Sequence, residues 1–162
     1  QWLAIGLGAA ATAFVIWQMV TVMGNPEELD KARQQMGSLS EMAPQTDPEQ
    51  RLFVLVAITA GVCEEILYRG VLMAALTPLV GVWPAVALSS VIFGLGHAYQ
   101  GLAGVGKTAL VGLAMALLTV FSGSLFVAIV LHAVIDIASG RIMGAALRKS
   151  SSPPSTAMPA SG

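Results

Sequence analysis

Charge is what this chain has least of. Only 10% of its 162 residues are Asp, Glu, Lys or Arg, against about 25% in soluble domains. Aromatic residues make up 6%, and Cys63 is the single cysteine. One cysteine excludes an intramolecular disulfide and a cysteine-cluster metal site. A net charge of −1 leaves no electrostatic footprint for nucleic acid, which is therefore not expected as a partner. No basic region precedes the first apolar run and no initiator Met is present. A signal peptide is not expected, and the start is compatible with a piece of a longer protein carrying earlier helices.

What is present is apolar length. Hydrophobic residues make up 56% of the chain, with mean hydropathy +0.77. Residues 1–26, 70–106 and 108–135 contain no Asp, Glu, Lys or Arg. A helix needs about 20 apolar residues to cross the hydrocarbon. The expected fold is all-α: a polytopic membrane helical bundle with about five transmembrane helices.

The first span is expected over 2–23, with Trp2 and Trp17 as interfacial anchors. Asn25-Pro26-Glu27-Glu28 reads as a helix start, with a cap, a proline in the first turn and early acids. It predicts a short surface helix to about residue 39 within a solvated linker, with a lid over a site as the alternative. Asp47-Pro48-Glu49 repeats the signal and starts a second long helix, expected to stop near residue 77 before Pro78. A third span is expected from residue 82 to 97–99, a glycine-rich loop over 99–106, a fourth span over 108–121 and a fifth helix over 125–147. Gly101 to Thr108 matches G-x-x-x-x-G-K-T letter by letter. A phosphate loop needs a preceding β-strand, and this one joins two apolar spans, so a turn with an interfacial lysine is the expectation. The chain divides into a first helix with linker (1–47), a helical core (48–148) and a disordered tail (149–162).

With this helix count Lys31, Arg33, Arg51, Lys107, Arg141, Arg148 and Lys149 fall on one side of the membrane. The positive-inside rule makes that side cytoplasmic. The 24–50 loop and the C-terminus then face the cytoplasm, in a plasma membrane of bacterial type.

Against this background three charges stand close together. Glu64, Glu65 and Arg69 interrupt the apolar stretch 52–76. Each charge near the middle of a membrane helix costs about 2.5–3.5 kcal/mol on insertion scales. Both histidines and the remaining embedded acid fall in two further motifs, Phe93-x-x-x-His97 and His132-x-x-x-Asp136. Glu65 and Arg69 share a helix face and are expected to pair, which turns Glu64 about 100° away toward a cavity. Phe93 is expected under the His97 ring, and Asp136 is expected to orient His132 and set its tautomer. Glu64, His97 and His132 could activate a water and stabilise an oxyanion. They could equally hold a divalent metal such as zinc. Cys63 is a weak nucleophile candidate, because an apolar setting keeps its thiol protonated. The competing reading is non-catalytic: a cation- or proton-binding transporter, or a scaffold braced by the same residues. Three side chains converging on one water-sized point would favour the enzyme; side chains paired off would favour bracing.

EExxxR, FxxxH and HxxxD in consecutive spans resemble the CPBP (Abi) family of intramembrane proteases. That family includes the CAAX prenyl endopeptidases and the bacteriocin-immunity-type proteins, and the resemblance covers roughly 48–147. It implies an intramembrane endopeptidase acting on a peptide or protein, prenylated or not, in the bilayer. Glu64 would be the base on the water and His97 its partner. His132 with Asp136 would complete the site, and Glu65 and Arg69 would support it. The family's last motif commonly ends in Asn, where this chain has Asp136. The family is described both as metalloprotease and as metal-free, so zinc on Glu64, His97 and His132 and a metal-free water both stay open.

Overall fold

The structure is a computed structural model and describes residues 1–151. The described residues form helices and short connections, with no strand among them. Helix α1 spans Trp2–Gly24, α2 Pro26–Gln35, α3 Asp47–Glu65, α4 Met73–Val80, α5 Val82–Gly96, α6 Gly101–Ser122 and α7 Leu125–Ser151. A π-helical segment, Ile66–Leu72, joins α3 to α4, so residues 47–80 form one continuous but irregular rod. Trp2–Gly24, Ala98–Ser122 and Leu125–Lys149 are long and apolar enough to cross a membrane. The shorter α5 is also apolar, and the charged rod 47–80 packs on α7 through α3 and on α5 through α4. The chain is a helical membrane bundle, as its composition predicts.

Local chemistry explains most boundaries. Asn25 Oδ1 accepts from the Glu27 amide at 2.9 Å, with Pro26 in the first turn of α2. For α3 the cap is Thr46, one residue before the expected start signal, and Thr46 and Glu49 form a reciprocal capping box. Gly123 ends α6 at φ 68, and Ser124 Oγ accepts from the Phe126 amide at 3.2 Å to start α7.

Three expectations need correction. Pro78 lies inside α4, and the helix ends at Val80, where Gly81 turns at φ 84. Proline removes a single backbone bond there, and that loss is tolerated two residues from the end of a membrane helix. The glycine-rich segment expected as a loop is the start of α6, helical from Gly101. The close contact there comes from a glycine of the neighbouring helix: a Cβ on Gly94 of α5 would stand 2.7 Å from the Val105 carbonyl oxygen of α6, whereas a Cβ on Gly101 or Gly106 would meet nothing within 4 Å. Such close approach is what small residues provide in lipid. Finally, α7 continues through Lys149 to Ser151, where a disordered tail was expected; the rest of that tail, 152–162, lies outside the described residues.

The polar linker is docked against the bundle. Leu29 of α2 and Met36 after it pack on Ala146 of α7, and Lys149 Nζ meets Asp30 at 2.6 Å. Ala146 is ten residues beyond Asp136, about 15 Å along the helix. The segment therefore packs at one end of the bundle and does not cover the charged residues as a lid.

Candidate active site

The three motifs meet where α3, the π segment, α5 and α7 pack together. Gly61 makes this possible on α3, because a Cβ there would lie 3.1 Å from the Ala133 amide nitrogen of α7. The two backbones touch one turn before Glu64 and Glu65, and beside His132.

Glu65 is fully buried, and its Oε1 accepts two hydrogen bonds. One comes from Arg69 Nη1 at 2.8 Å, within the same helix. The other is with His132 Nδ1 at 2.8 Å, across from α7. Arg69 also donates from Nη2 to the Gly112 carbonyl of α6 at 2.6 Å. Its guanidinium lies 4.6 Å from the centroid of the Phe93 ring, within cation–π range. Gly112 must stay small, since a Cβ there would stand 2.9 Å from Phe93 Cδ1 and 3.1 Å from Arg69 Nη2. The pairing of Glu65 with Arg69 is as expected from their spacing. The π segment that carries Arg69 is a feature the sequence pattern does not announce, and such segments recur at functional sites. Ser89 Oγ of α5 donates to the Tyr68 carbonyl within it at 2.9 Å.

This arrangement changes the reading of Asp136. Its Oδ2 stands 3.6 Å from His132 Nε2, too far for a hydrogen bond. Glu65 holds the other ring nitrogen, so Glu65 rather than Asp136 orients the imidazole. The ring points its Nδ1 edge at α3, and the short Asp136 side chain reaches only the opposite edge. His97 is fixed differently. Its Nδ1 lies 2.9 Å from the Phe93 carbonyl oxygen. Carbonyl oxygen and ionised carboxylate only accept, so Nδ1 is the protonated nitrogen in both rings. Each neutral imidazole then presents the lone pair of Nε2. Phe93, 2% exposed, packs against both rings, with centroids 4.8 Å from His97 and 5.8 Å from His132.

Both Nε2 atoms face the same atom. Glu64 Oε2 is 3.9 Å from His97 Nε2 and 3.9 Å from His132 Nε2. The Glu64 side chain is 31% exposed, yet Oε2 itself is buried and takes no hydrogen bond from any described residue. A cavity of about 180 Å³ adjoins this point, lined by Phe93, His97, Lys107, His132, Asp136 and Ser139 among others. Glu64 reaches the imidazoles from α3, which contributes nothing to that wall.

The spacing tests what could sit between these groups. Ligands at about 2.0–2.2 Å from a tetrahedral zinc lie roughly 3.3 Å apart. The 3.9 Å edges are longer, and among the described residues no group of three or more His, Cys, Asp or Glu is placed to hold a metal ion. The residues do not fit the ion as they stand. A water at hydrogen-bond distance, about 2.8 Å from both ends of a 3.9 Å edge, subtends roughly 90°, an ordinary hydrogen-bonding angle.

No curated protein and no solved structure matches the chain. A family model does: type II CAAX prenyl endopeptidase Rce1-like, over residues 49–138, more than half of the chain. Every motif residue described above, from Glu64 to Asp136, lies within that match, and the chain belongs to the Rce1-like type II CAAX prenyl endopeptidase family.

Proposed function

We propose that this chain is an intramembrane endopeptidase in which Glu64, His97 and His132 act on one water. The observation that carries the reading is Glu64 Oε2, a buried carboxylate oxygen with no partner, equidistant from two imidazole nitrogens at 3.9 Å. Glu64 takes a proton from the water as its oxygen attacks the scissile carbonyl carbon. The tetrahedral intermediate collapses with breakage of the C–N bond, and the same proton passes to the leaving amine nitrogen.

The histidines divide the remaining work. A water has two protons, and three acceptors surround it: Glu64 Oε2 and two Nε2 lone pairs. One imidazole therefore carries a second proton when all three contacts are made. That Nε2–H becomes the donor for the oxyanion. Asp136 Oδ2, 3.6 Å from His132 Nε2, favours His132 as the ring that carries it. An anion cannot itself donate to the oxyanion, so Asp136 acts through the imidazole.

The bracing alternative has its own observation, and it applies to a different pair. Glu65 and Arg69 are both fully buried and bonded to each other, so they hold the helices and fix His132. Glu64 is not consumed in that way. The substrate is a peptide or protein reached within the bilayer, with a prenylated C-terminus as one candidate suggested by the family. The basic end of the bundle faces the cytoplasm.

The test is hydrolysis in proteoliposomes of a library of prenylated and plain peptides by wild type, Glu64→Gln and Cys63→Ala. Cleavage by wild type and Cys63→Ala, lost in a folded Glu64→Gln, is the expected result. Cleavage that persists in Glu64→Gln removes the proposed base.

A further inference from the structure

The end of the bundle opposite the α4–α5 turn holds a second cavity, of about 260 Å³. Its wall comes from the last turn of α1, the first turns of α3 and the last half of α7, and it includes Arg51, Arg141 and Arg148. Helices α3 and α7 run antiparallel there. Gly140 lies against the Phe53 ring and Gly144 against the Gln50 side-chain nitrogen. That register brings residue 51 level with residues 141–143, and Arg51 and Arg141 line the same cavity. Gln50 and Arg148 are held in place by the chain. Gln50 Nε2 donates to the Gly140 carbonyl at 3.2 Å and to the Pro44 carbonyl at 3.1 Å. Arg148 Nη1 donates to the Gln45 carbonyl at 3.2 Å.

Two of the cations gathered here, Arg51 and Arg141, have no ion-pair partner among the described residues. The sequence has eight Lys and Arg residues. Arg69 is buried on Glu65, Lys31 pairs with Glu28, and Lys149 pairs with Asp30. Three of the five others line this one cavity, against a single carboxylate, Asp47. Among the described residues neither Arg51 nor Arg141 makes an ion pair or a hydrogen bond, and Asp47 makes none with them. Guanidinium groups that line one cavity repel unless an anion lies between them, and their planar forks match the oxygens of a phosphate. Apart from Gln50, the rest of the wall is apolar. Val54 sits one turn deeper along α3 than Arg51, and Met23 closes the α1 side. A phosphate that continues into an apolar body fits both halves, and basic pockets between membrane helices bind such headgroups.

We propose that this cavity is a binding site for an anionic phospholipid, its phosphate held between Arg51 and Arg141 and its glycerol and acyl end along Val54 and Met23. The site is separate from the Glu64 centre and stands whether or not the chain is a peptidase. Free inorganic phosphate shares the headgroup chemistry but has no use for the apolar wall.

The full chain in detergent micelles is titrated with phosphatidylglycerol, phosphatidylcholine or inorganic phosphate, reading bound lipid by native mass spectrometry and thermal unfolding in parallel. Phosphatidylglycerol should bind and raise the unfolding temperature, with phosphatidylcholine and inorganic phosphate at the same concentration doing neither. Arg51→Gln and Arg141→Gln should each weaken phosphatidylglycerol binding about tenfold, the loss of one charge-assisted contact. Arg51→Lys should recover part of it. The control, Lys31→Gln with Arg33→Gln, removes two cations from the neighbouring α2 and should change binding less than twofold. Equal weakening by the control pair would show general surface attraction and overturn the site. Binding of inorganic phosphate without lipid preference would overturn the lipid assignment. Circular dichroism of each variant separates lost binding from lost folding.

Discussion

Removing the Glu65 carboxylate tests how the buried network is built, and the expected cost is asymmetric. In Glu65→Ala the Arg69 guanidinium, fully buried, keeps only the neutral Gly112 carbonyl at 2.6 Å and the face of Phe93. Breaking a buried pair from one side costs about 3–5 kcal/mol, because the remaining charge is uncompensated. His132 Nδ1 loses its acceptor in the same step. In Arg69→Met the situation differs, since Glu65 keeps its 2.8 Å contact with His132 Nδ1. The loss is then nearer one charge-assisted hydrogen bond, about 1.5–3 kcal/mol. At about 2–4 °C per kcal/mol for a chain of this size, Glu65→Ala should lower the unfolding temperature by roughly 6–20 °C, and Arg69→Met by about half as much. The double variant leaves no buried charge and should be more stable than Glu65→Ala alone. Thermal unfolding in detergent, followed by circular dichroism and retention of the monomer peak, gives the three values. If Arg69→Met is as damaging as Glu65→Ala, or if the double variant shows the sum of the two losses, the network described here is wrong.

Other expectations rest on the same geometry. Gly112→Val would push into Phe93 and Arg69, where a first Cβ already meets them at 2.9 and 3.1 Å; a loss of about 1–3 kcal/mol should appear as a lower denaturation midpoint. Gly61→Leu should part α3 from α7 at Ala133, 3.1 Å from the added Cβ. Hydrolysis should then fall more than tenfold while helical content is retained, which activity and circular dichroism measured together would show. A chelator such as phenanthroline should change the hydrolysis rate less than twofold, because the two 3.9 Å edges from Glu64 to the imidazoles suit a water and not a zinc ion; stoichiometric zinc in the purified protein with loss of activity on its removal would contradict this.

The parts of the molecule governed by one helix were legible in the sequence. Charges in an apolar stretch announced the candidate site, and i,i+4 spacing paired Glu65 with Arg69 and put Phe93 under His97. The parts that depend on two helices were not. The partner of His132 is decided by how closely α3 and α7 approach, which Gly61 and Ala133 set. A reading along α7 alone selects Asp136, four residues away, and misses Glu65. The segment Gly101 to Gly106 looks like a loop because glycine is a poor helix former in water. In the bundle the segment is nonetheless helical, packed on α5 where Gly94 lets the Val105 backbone approach. The π segment Ile66–Leu72 has no compositional mark at all. Pro78 was read as a stop by a rule that holds for helix interiors, whereas its position near the end of α4 made the loss small.

The central claim is that Glu64, His97 and His132 act on one water, and groups that act as a unit lose activity together. The most direct measurement is the single-turnover hydrolysis rate of folded Glu64→Gln, His97→Ala and the double variant on one cleaved peptide. The account predicts that each single variant falls at least about a thousandfold and that the double variant is no slower than the worse single. Losses that multiply in the double variant, or a Glu64→Gln rate within tenfold of wild type, would contradict it.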